Sequence, residues 1–295
     1  MTRHQKEILI RGIFALFAFA SVLILSLILV FLFREGIPIF NKISLSDFLF
    51  GREWYPTFDP PSYGIWPLIV GSVIVTVFSC LIAVPLGVLS AVYIAEIAPA
   101  AIKDVTKSII ELLAGIPSVV LGFFGMVVLA PFMQETFDLP TGLNIVNASV
   151  ILAIMAIPTI SSISEDALYA VPQEFKEASY ALGATKYETI VKVIVPAALS
   201  GISTAVILGM SRAIGETMVV LMVAGGAAAI PESIFDSVRP MPASIAAEMG
   251  EAPFGSGHYH ALFAIGIVLF FLTLAFNLVA DYISQKFRET GSATL

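Results

Sequence analysis

The sequence has few charged residues and almost no cysteine. Only 13% of its 295 residues are Asp, Glu, Lys or Arg, and Cys80 is its single cysteine. One cysteine excludes a disulfide framework within the chain. The formal net charge of −7 excludes a basic nucleic-acid-binding surface as the main feature of the molecule. We therefore expect neither a disulfide-stabilised domain nor a nucleic-acid-binding protein.

Motifs for nucleotide, metal or catalytic chemistry are also lacking. No Gly is followed by Lys, so the sequence has no phosphate-binding loop of the form G-x-x-x-x-G-K-[ST]. His258 and His260 have no Cys or carboxylate at metal-ligand spacing, and we interpret them as loop residues. No pair of residues suggests a catalytic acid and base. We expect no enzyme activity, no metal and no other cofactor in this chain.

Apolar residues are what the sequence has in excess. They make up 58% of the chain, and the mean hydropathy is +0.95. A soluble globular chain is about 45–50% apolar and about one quarter charged. So much apolar surface needs lipid as its solvent. The composition therefore predicts an integral membrane protein of the all-α class.

Six apolar runs are long enough to cross a bilayer, which takes roughly 20 residues for a core about 30 Å thick. The first lies between Arg11 and Arg34 and has no small-residue cleavage pattern after it, so we interpret it as a retained helix. We expect one transmembrane domain over 1–295, with its core at about 66–285. The predicted spans are 12–33, 66–95, 109–133, 146–164, 197–223 and 260–283.

The distribution of Lys and Arg predicts the orientation of these spans. With the N-terminus inside, the segments on the inner side hold ten basic residues and those on the outer side hold four. An excess of basic residues marks the cytoplasmic side. Both termini are therefore expected inside a cell membrane, as an even number of spans also requires.

The longest predicted inner loop, 165–196, has a helical pattern. Apolar residues recur at helical spacing between Phe175 and Leu182, with charged residues elsewhere on the turn, which predicts a short amphipathic helix. Gly183 then predicts the end of that helix, because a left-handed glycine has no side-chain clash. A second short helix is expected at about 184–195, before Pro196. On pattern alone, the first helix could equally lie on the lipid surface.

Part of this loop resembles the E-A-A-x3-G-x9-I-x-L-P motif of type I ABC importer permeases. In that family the loop forms coupling helices that fit a cleft on a cytoplasmic ATPase subunit. The resemblance implies a MetI-like fold and an ATPase contact at Glu177, Ala178 and Gly183. ATP would then be hydrolysed by that partner. The sequence matches the motif at Glu177, Ala178, Gly183 and Pro196 and departs from it at Ser179, Val193 and Val195, which keep similar size and polarity.

The fifth predicted span contains two charges. Arg212 lies about halfway along it, where a charged side chain costs about 2.5–3.5 kcal/mol on insertion scales. Glu216 follows four residues later and would pair with Arg212 on a continuous helix. A purely structural pair is replaceable by apolar residues at little loss, so we favour a functional role. Since a guanidinium group matches phosphate and carboxylate oxygens, the pair predicts an anion pathway.

Several stretches carry a more specific resemblance, including F-L-F-G-R-E-W at 48–54, L-A-G-I-P-S at 113–118, 153–162, R-A-I-G-E-T-M at 212–218 and M-V-A-G-G at 222–226. Together they resemble one of the two sister membrane subunits of phosphate ABC importers, over nearly the whole chain. The resemblance implies that Arg212 and Glu216 take part in phosphate passage. It implies as partners a second permease subunit, a dimer of ATP-binding subunits and an extracytoplasmic phosphate-binding protein that the outer loops receive.

Other polar residues near the predicted spans carry weaker hypotheses. Glu111 is predicted either to extend its carboxylate to the membrane interface or to pair with Lys107, one helical turn before it. Glu165 and Asp166 are interpreted as interfacial caps or network partners at the inner end of the fourth span. Hydroxyls in that span either bond a phosphate or bond their own backbone. They are Thr159, Ser161 and Ser162.

The function expected from these features is one half of the translocation pathway of an ATP-driven phosphate importer. An autonomous anion channel or secondary transporter that uses the same arginine remains an alternative. It predicts flux without ATP or partner subunits. No inverted repeat strong enough to favour a secondary transporter is present in the sequence.

Overall fold

The computed structural model describes residues 3–292, so predictions for the extreme ends of the chain lie outside the described residues. The first span is part of helix α1 (Arg3–Gly36), which is followed by a 3-10 turn, Ile37–Asn41. Helix α2 (Leu45–Phe50) begins where the Ser44 side chain accepts a hydrogen bond from the Asp47 N–H at 3.1 Å. Strands β1 (Trp54–Tyr55) and β2 (Ser62–Tyr63) form an antiparallel hairpin.

Two helices form the centre of the bundle. They are α3 (Trp66–Val92) and, later in the chain, the fourth span, and both confirm the predicted spans with small shifts of their ends. Pro85 lies inside α3 and Pro158 inside the fourth span, and neither ends its helix. A side chain at Gly87 would overlap Ile160, whose Cγ2 lies 2.8 Å from the position that a Cβ would occupy. The two helices therefore approach closely because a glycine faces a branched side chain.

The prediction of a third span at 109–133 is wrong at its first end. Helix α4 (Ala100–Ala114) has no buried residue and is separate from the helices that follow. Pro117 has extended backbone and stands before α5 (Ser118–Phe124), which continues through a π-helical turn into α6 (Ala130–Phe137). The membrane-spanning helix is thus 118–137. Gly115 and Pro117 interrupt the helix here, because a proline disfavours helical backbone at the residue before it.

The fourth span is helix α7 (Ile145–Tyr169), which extends about one turn beyond the prediction. After it come α8 (Gln173–Ala181), α9 (Lys186–Thr189), a π-helical turn at Ile190–Ile194 and α10 (Val195–Ala197). They confirm two short helices in the inner loop. The observed loop is shorter than the predicted 165–196, because α7 includes its first residues.

The fifth span is broken. It consists of α11 (Leu199–Ile214) and α12 (Met218–Val223), with a gap at 215–217. The segment Lys186–Ala197 meets α11 at a bend of 67°. Within residues 3–292, five helices are long and apolar enough to span a membrane on their own, and there are six if that bent pair is counted as one span.

The chain ends with α13 (Met241–Glu248) and α14 (Gly257–Ser292), the sixth span. Helix α14 packs along α1 through edge-to-face ring pairs, Phe31 with Phe263 at 5.5 Å and Phe33 with Phe271 at 6.1 Å. Most α1 side chains facing away from α14 remain exposed in the isolated chain. Lipid or another subunit must therefore cover this first helix.

Candidate functional site

Arg212 lies in the last turn of α11, about midway along the broken fifth span. Its side chain is exposed in the isolated chain. Among residues 3–292 no carboxylate or carbonyl forms an ion pair or hydrogen bond with it. The Arg212 guanidinium is therefore unpaired within the described residues and accessible to a group outside the chain.

Glu216 does not pair with Arg212 on one helical face, so that part of the sequence interpretation is wrong. The helix ends at Ile214, and Glu216 lies in the gap before α12. Its Oε1 accepts hydrogen bonds from the N–H groups of Met218 at 3.1 Å and Val219 at 3.3 Å. The carboxylate thus caps the N-terminus of α12, where the helix dipole favours negative charge.

The two charges nevertheless share one small cavity. Its wall includes Leu152 and Met155 of α7 together with Arg212 and Glu216. Glu216 also lines a neighbouring cavity. Hydroxyl-bearing residues of α3 and Pro240, at the start of α13, form other parts of its wall. The break in the fifth span therefore places both charges beside α7 without an ion pair between them.

Ser161 of α7, one of the three predicted hydroxyl candidates, is fully buried, and its Oγ has no hydrogen-bond partner within the described part of the chain. Thr159 and Ser162 are half-buried. None of the three lines the cavity that the two charges share. The structure therefore does not bring these hydroxyls together with Arg212 and Glu216.

The first helix of the predicted inner loop, α8, ends as the sequence predicts. Gly183 has φ +83°, the left-handed conformation. Its N–H donates to the Tyr180 carbonyl at 2.9 Å, and the Ala184 N–H donates to the Ser179 carbonyl at 3.2 Å. This pair of hydrogen bonds is the Schellman motif, which satisfies the last carbonyls of α8.

The turn at Gly183 presents an uncovered surface. Glu177 and Ala178 are exposed on α8. Leu182 is 90% exposed and Tyr187, in α9, is 72% exposed. The predicted apolar stripe therefore turns away from the rest of the chain, apart from the half-buried Phe175. Apolar side chains this exposed next to a tight turn indicate a surface that a partner covers.

The opposite side of the loop is held firmly against the bundle. Lys176 forms an ion pair with Glu96 at 2.6 Å, and both side chains are largely buried. The hydroxyls of Ser179 and Thr189 lie 2.9 Å apart and join α8 to α9. The ion pair therefore joins α8 to the π-helical turn Tyr93–Ile97 that follows α3.

A capping box begins α9. The Thr185 side chain accepts from the Glu188 N–H, and the Glu188 carboxylate accepts from the N–H and hydroxyl of Thr185. These hydrogen bonds lower the pKa of the Glu188 carboxyl, the backbone N–H of Thr185 contributing most. The helix start after Gly183 is therefore defined by the sequence itself.

Lys107 corrects another sequence prediction. It forms an ion pair with Glu165 at 3.3 Å rather than with Glu111, which is exposed and has no ion pair among the described residues. Glu165 is only 2% exposed. The interpretation of Glu165 as a network partner is confirmed, and this pair ties α4 to α7.

The other end of the bundle carries a cluster that sequence reasoning missed. Glu248, at the end of α13, accepts from Trp54 Nε1 at 3.0 Å and lies 2.8 Å from His258 Nε2. It also forms an ion pair with Arg239, whose Nε donates to the Gly226 carbonyl at 2.7 Å. Arg239, Glu248 and His258 lie within 20 positions of one another, whereas Trp54 is 194 positions from Glu248, so the sequence did not reveal that these side chains meet.

His258 and His260 lie in the first turn of α14, not in a loop as predicted. His258 is buried against Glu248, and His260 Nδ1 lies 2.7 Å from the Glu35 carbonyl oxygen. Both therefore connect the start of α14 to other segments. Among the described residues no group of three or more His, Cys, Asp or Glu side chains is placed to hold a metal ion.

Residues 83–289 match the family described as binding-protein-dependent transport system inner membrane component. The probable ABC transporter permease protein YqgH of Bacillus subtilis is 43% identical over 88% of this chain and 84% of its own length. The phosphate transport system permease protein PstC of Mesorhizobium japonicum is 35% identical over 81% of this chain and 78% of its own. PstC of Haemophilus influenzae is 32% identical over 96% and 95%.

Solved structures agree with these relatives on the fold. The MetNI methionine ABC transporter in inward-facing conformation superposes with a TM-score of 0.57 at 24% identity, covering 76% of this chain and 94% of its own. A bacterial alginate ABC transporter, in complex with an alginate-bound periplasmic protein, gives 0.63 at 16% identity, covering 94% and 96%. The chain belongs to the binding-protein-dependent transport system inner membrane components, the permease subunits of ABC importers.

Proposed function

We propose that this permease carries inorganic phosphate and forms one half of the translocation pathway. A second permease subunit forms the other half, a dimer of ATP-binding subunits drives transport, and a binding protein outside the cell delivers the anion. The proposal is supported by the PstC relatives, which are phosphate transport permeases at 32–35% identity. The proposed orientation places both termini, α8 and α9 in the cytoplasm, following the basic residues counted in the sequence.

The observation that carries the proposal is the exposed, unpaired guanidinium of Arg212. A charge facing lipid at the middle of a span costs about 2.5–3.5 kcal/mol or more, so this face must border water and protein. The second permease is the natural neighbour on this face. Between the two subunits, the fixed fork of guanidinium donors would bind phosphate oxygens as the anion passes.

Glu216 has a different role from the one that a helical pair would give it. Its carboxylate is held by the N–H groups at the start of α12 and faces the same cavity as Arg212. A fixed negative charge beside the anion path weakens the hold of Arg212 on a dianion. We propose that Glu216 thereby allows phosphate to leave the site.

The exposed surface around Gly183 is the proposed ATPase contact. Glu177, Ala178 and Gly183 lie on it together with Leu182 and Tyr187, which the isolated chain leaves uncovered. A surface with this much apolar area suits a partner that remains bound. The Lys176–Glu96 ion pair on the opposite side then connects the ATPase to the inner end of α3.

The test is phosphate uptake into proteoliposomes that contain the complete importer with its binding protein and ATP. Arg212→Gln should lower uptake at least tenfold while the subunits still assemble, and Arg212→Lys should keep part of the activity. Arg52→Gln is the matched control, because Arg52 is an exposed arginine in the first outer loop. Glu216→Gln should slow phosphate release and lower the turnover rate.

Three results would contradict the proposal. Uptake by Arg212→Gln at the wild-type rate would remove the arginine from the pathway. Uptake of another anion in preference to phosphate would reject the substrate. Phosphate flux through this chain alone, without ATP or partners, would favour the channel alternative.

A further inference from the structure

A large cavity opens at the end of the bundle opposite α8, and the transport site does not use it. Its volume is about 610 Å³. The hairpin residues Trp54 and Tyr55 form one wall, the run of alanines after Gly226 forms another, and Glu248 and Glu251 complete it. The cavity therefore lies where the first outer loop meets the segment between α12 and α14.

Glu248 and Glu251 line the same cavity but differ in their partners. Three groups hold the Glu248 carboxylate: Trp54 Nε1, the Arg239 guanidinium and His258. Glu251 is exposed, and its carboxylate has no hydrogen bond or ion pair within residues 3–292. Glu248 therefore builds the wall, and Glu251 is the carboxylate that is free to bind something else.

The charge around the cavity determines what that ligand can be. Arg239 is neutralised by Glu248, so with a neutral His258 the cavity keeps a net negative charge from Glu251. The connecting segments at this end, 34–65, 134–144 and 224–258, hold ten carboxylates and only four basic side chains. An anion is repelled by such a surface, whereas a basic protein surface is attracted to it.

Aromatic rings next to the cavity add a second feature that favours a cation. Tyr55 lines the cavity, is 44% exposed and stacks on Phe58 with ring centroids 5.0 Å apart. The exposed faces of such rings attract a Lys or Arg head group. A carboxylate and an aromatic face in one cavity are therefore suited to a basic side chain. Within the described part of the chain, the cavity lacks the carboxylate cluster that a metal ion would need.

We propose that this cavity receives a Lys or Arg side chain of the binding protein, with Glu251 as its ion-pair partner. The proposal rests on the proposed function for the identity of that protein. Members of this family depend on a binding protein, and the alginate transporter structure contains a periplasmic protein. The acidic surface also explains why phosphate itself needs a carrier here, since the free dianion is repelled from this face.

The experiment measures the affinity of the purified, phosphate-loaded binding protein for the complete importer in lipid nanodiscs. Glu251→Gln should weaken binding roughly tenfold and make it less sensitive to salt. Glu232→Gln is the matched control, because Glu232 is an exposed carboxylate of the same segment that does not line the cavity. Both variants should unfold at the wild-type temperature, since neither carboxylate holds the fold.

A double-mutant cycle identifies the partner. Each basic residue on the docking face of the binding protein is replaced by Gln, and one of them should lose its effect in the Glu251→Gln importer. The proposal is overturned if Glu251→Gln binds as tightly as wild type, or if Glu232→Gln weakens binding equally. Binding of inorganic phosphate alone, lost in Arg239→Gln, would assign the cavity to the anion instead.

This experiment separates the docking proposal from the proposed function because it measures no transport. An importer that prefers another anion would still bind its binding protein through Glu251. Unchanged docking of Glu251→Gln, together with impaired uptake by Arg212→Gln, would in turn support the pathway and reject Glu251 as the docking residue.

Discussion

At the end of the bundle that carries Glu248, the side chains of Glu248, Trp54, Arg239 and His258 satisfy one another, whereas the turn between α8 and α9 at the other end leaves large apolar side chains uncovered. Trp54 is 2% exposed and donates to Glu248. Leu182 is 90% exposed and Tyr187 is 72% exposed, although both lie in a well-defined helix-turn-helix. The apolar stripe of α8 was predicted from the sequence, whereas the pairing of Glu248 was not, so that pairing is a property of the folded chain.

The contrast indicates two kinds of partner. Exposed apolar area is typical of interfaces that stay assembled, and an ATPase subunit at α8 would remain bound through many cycles. A charged surface, such as the one at the end that carries Glu248, suits an association that forms quickly and dissociates, because charges mainly affect the rate of encounter. The proposed binding protein, which would deliver one anion at a time, would need this second kind of contact.

The largest effect that we predict is at the end of the bundle that carries Glu248. Glu248→Ala removes the acceptor for Arg239, Trp54 and His258, and it should lower the free energy of unfolding by about 3 kcal/mol, because a partly buried charge loses its partner. The measurement is an SDS unfolding titration in detergent micelles. Glu251→Ala is the control and should change stability by less than about 0.5 kcal/mol. Equal losses for the two variants would show that this end is not organised around Glu248.

An intermediate effect is predicted at the end of the bundle that carries α8. Leu182→Ser should leave the unfolding of the isolated chain unchanged, because the side chain already faces solvent. Its affinity for the ATP-binding subunit should fall about tenfold, equivalent to about 1.4 kcal/mol, if Leu182 is buried there. Phe254→Ser, which removes an 85% exposed ring at the opposite end, provides the comparison. Should Phe254→Ser weaken ATPase binding as much, the assignment of the two ends would be wrong.

The smallest effect is predicted at the turn itself. Gly183→Ala forces a residue with a Cβ into φ +83°, although the space around it is open, so the cost is about 1 kcal/mol of backbone strain. Hydrogen exchange of the amides at 183–184 should therefore rise about fivefold. Gly250→Ala tests the reasoning, because Gly250 also has open space but no left-handed backbone. A similar rise at both glycines would mean that the left-handed turn does not matter.

Span prediction succeeded where apolar runs coincide with helices and failed where they do not. Residues 109–113 are apolar enough to extend the third span, yet they belong to α4, which lies outside it. The break depends on Gly115 and Pro117, which the sequence shows but which are equally compatible with a kink. Only packing distinguishes these outcomes, because α4 is tied to α7 by Lys107 and Glu165.

The geometry of the candidate site was also predicted only in part, because it depends on where a helix ends. Arg212 was found because an intramembrane charge is conspicuous in any sequence. The position of Glu216 was not, because a four-residue spacing implies a shared face only if the helix continues, and here it ends at Ile214. Gly183 was predicted correctly, since a left-handed helix end depends on local backbone sterics.

The sequence alone determined that this is a membrane protein, where most of its apolar helices lie and that α8 ends at Gly183, because transfer of side chains to lipid and backbone sterics are local properties. The tertiary structure decided which charges are paired and which are free. Glu248 meets Trp54 across 194 positions of sequence, and Arg212 meets no carboxylate within the described residues. Such pairings depend on how helices pack, and packing is set by all the segments at once.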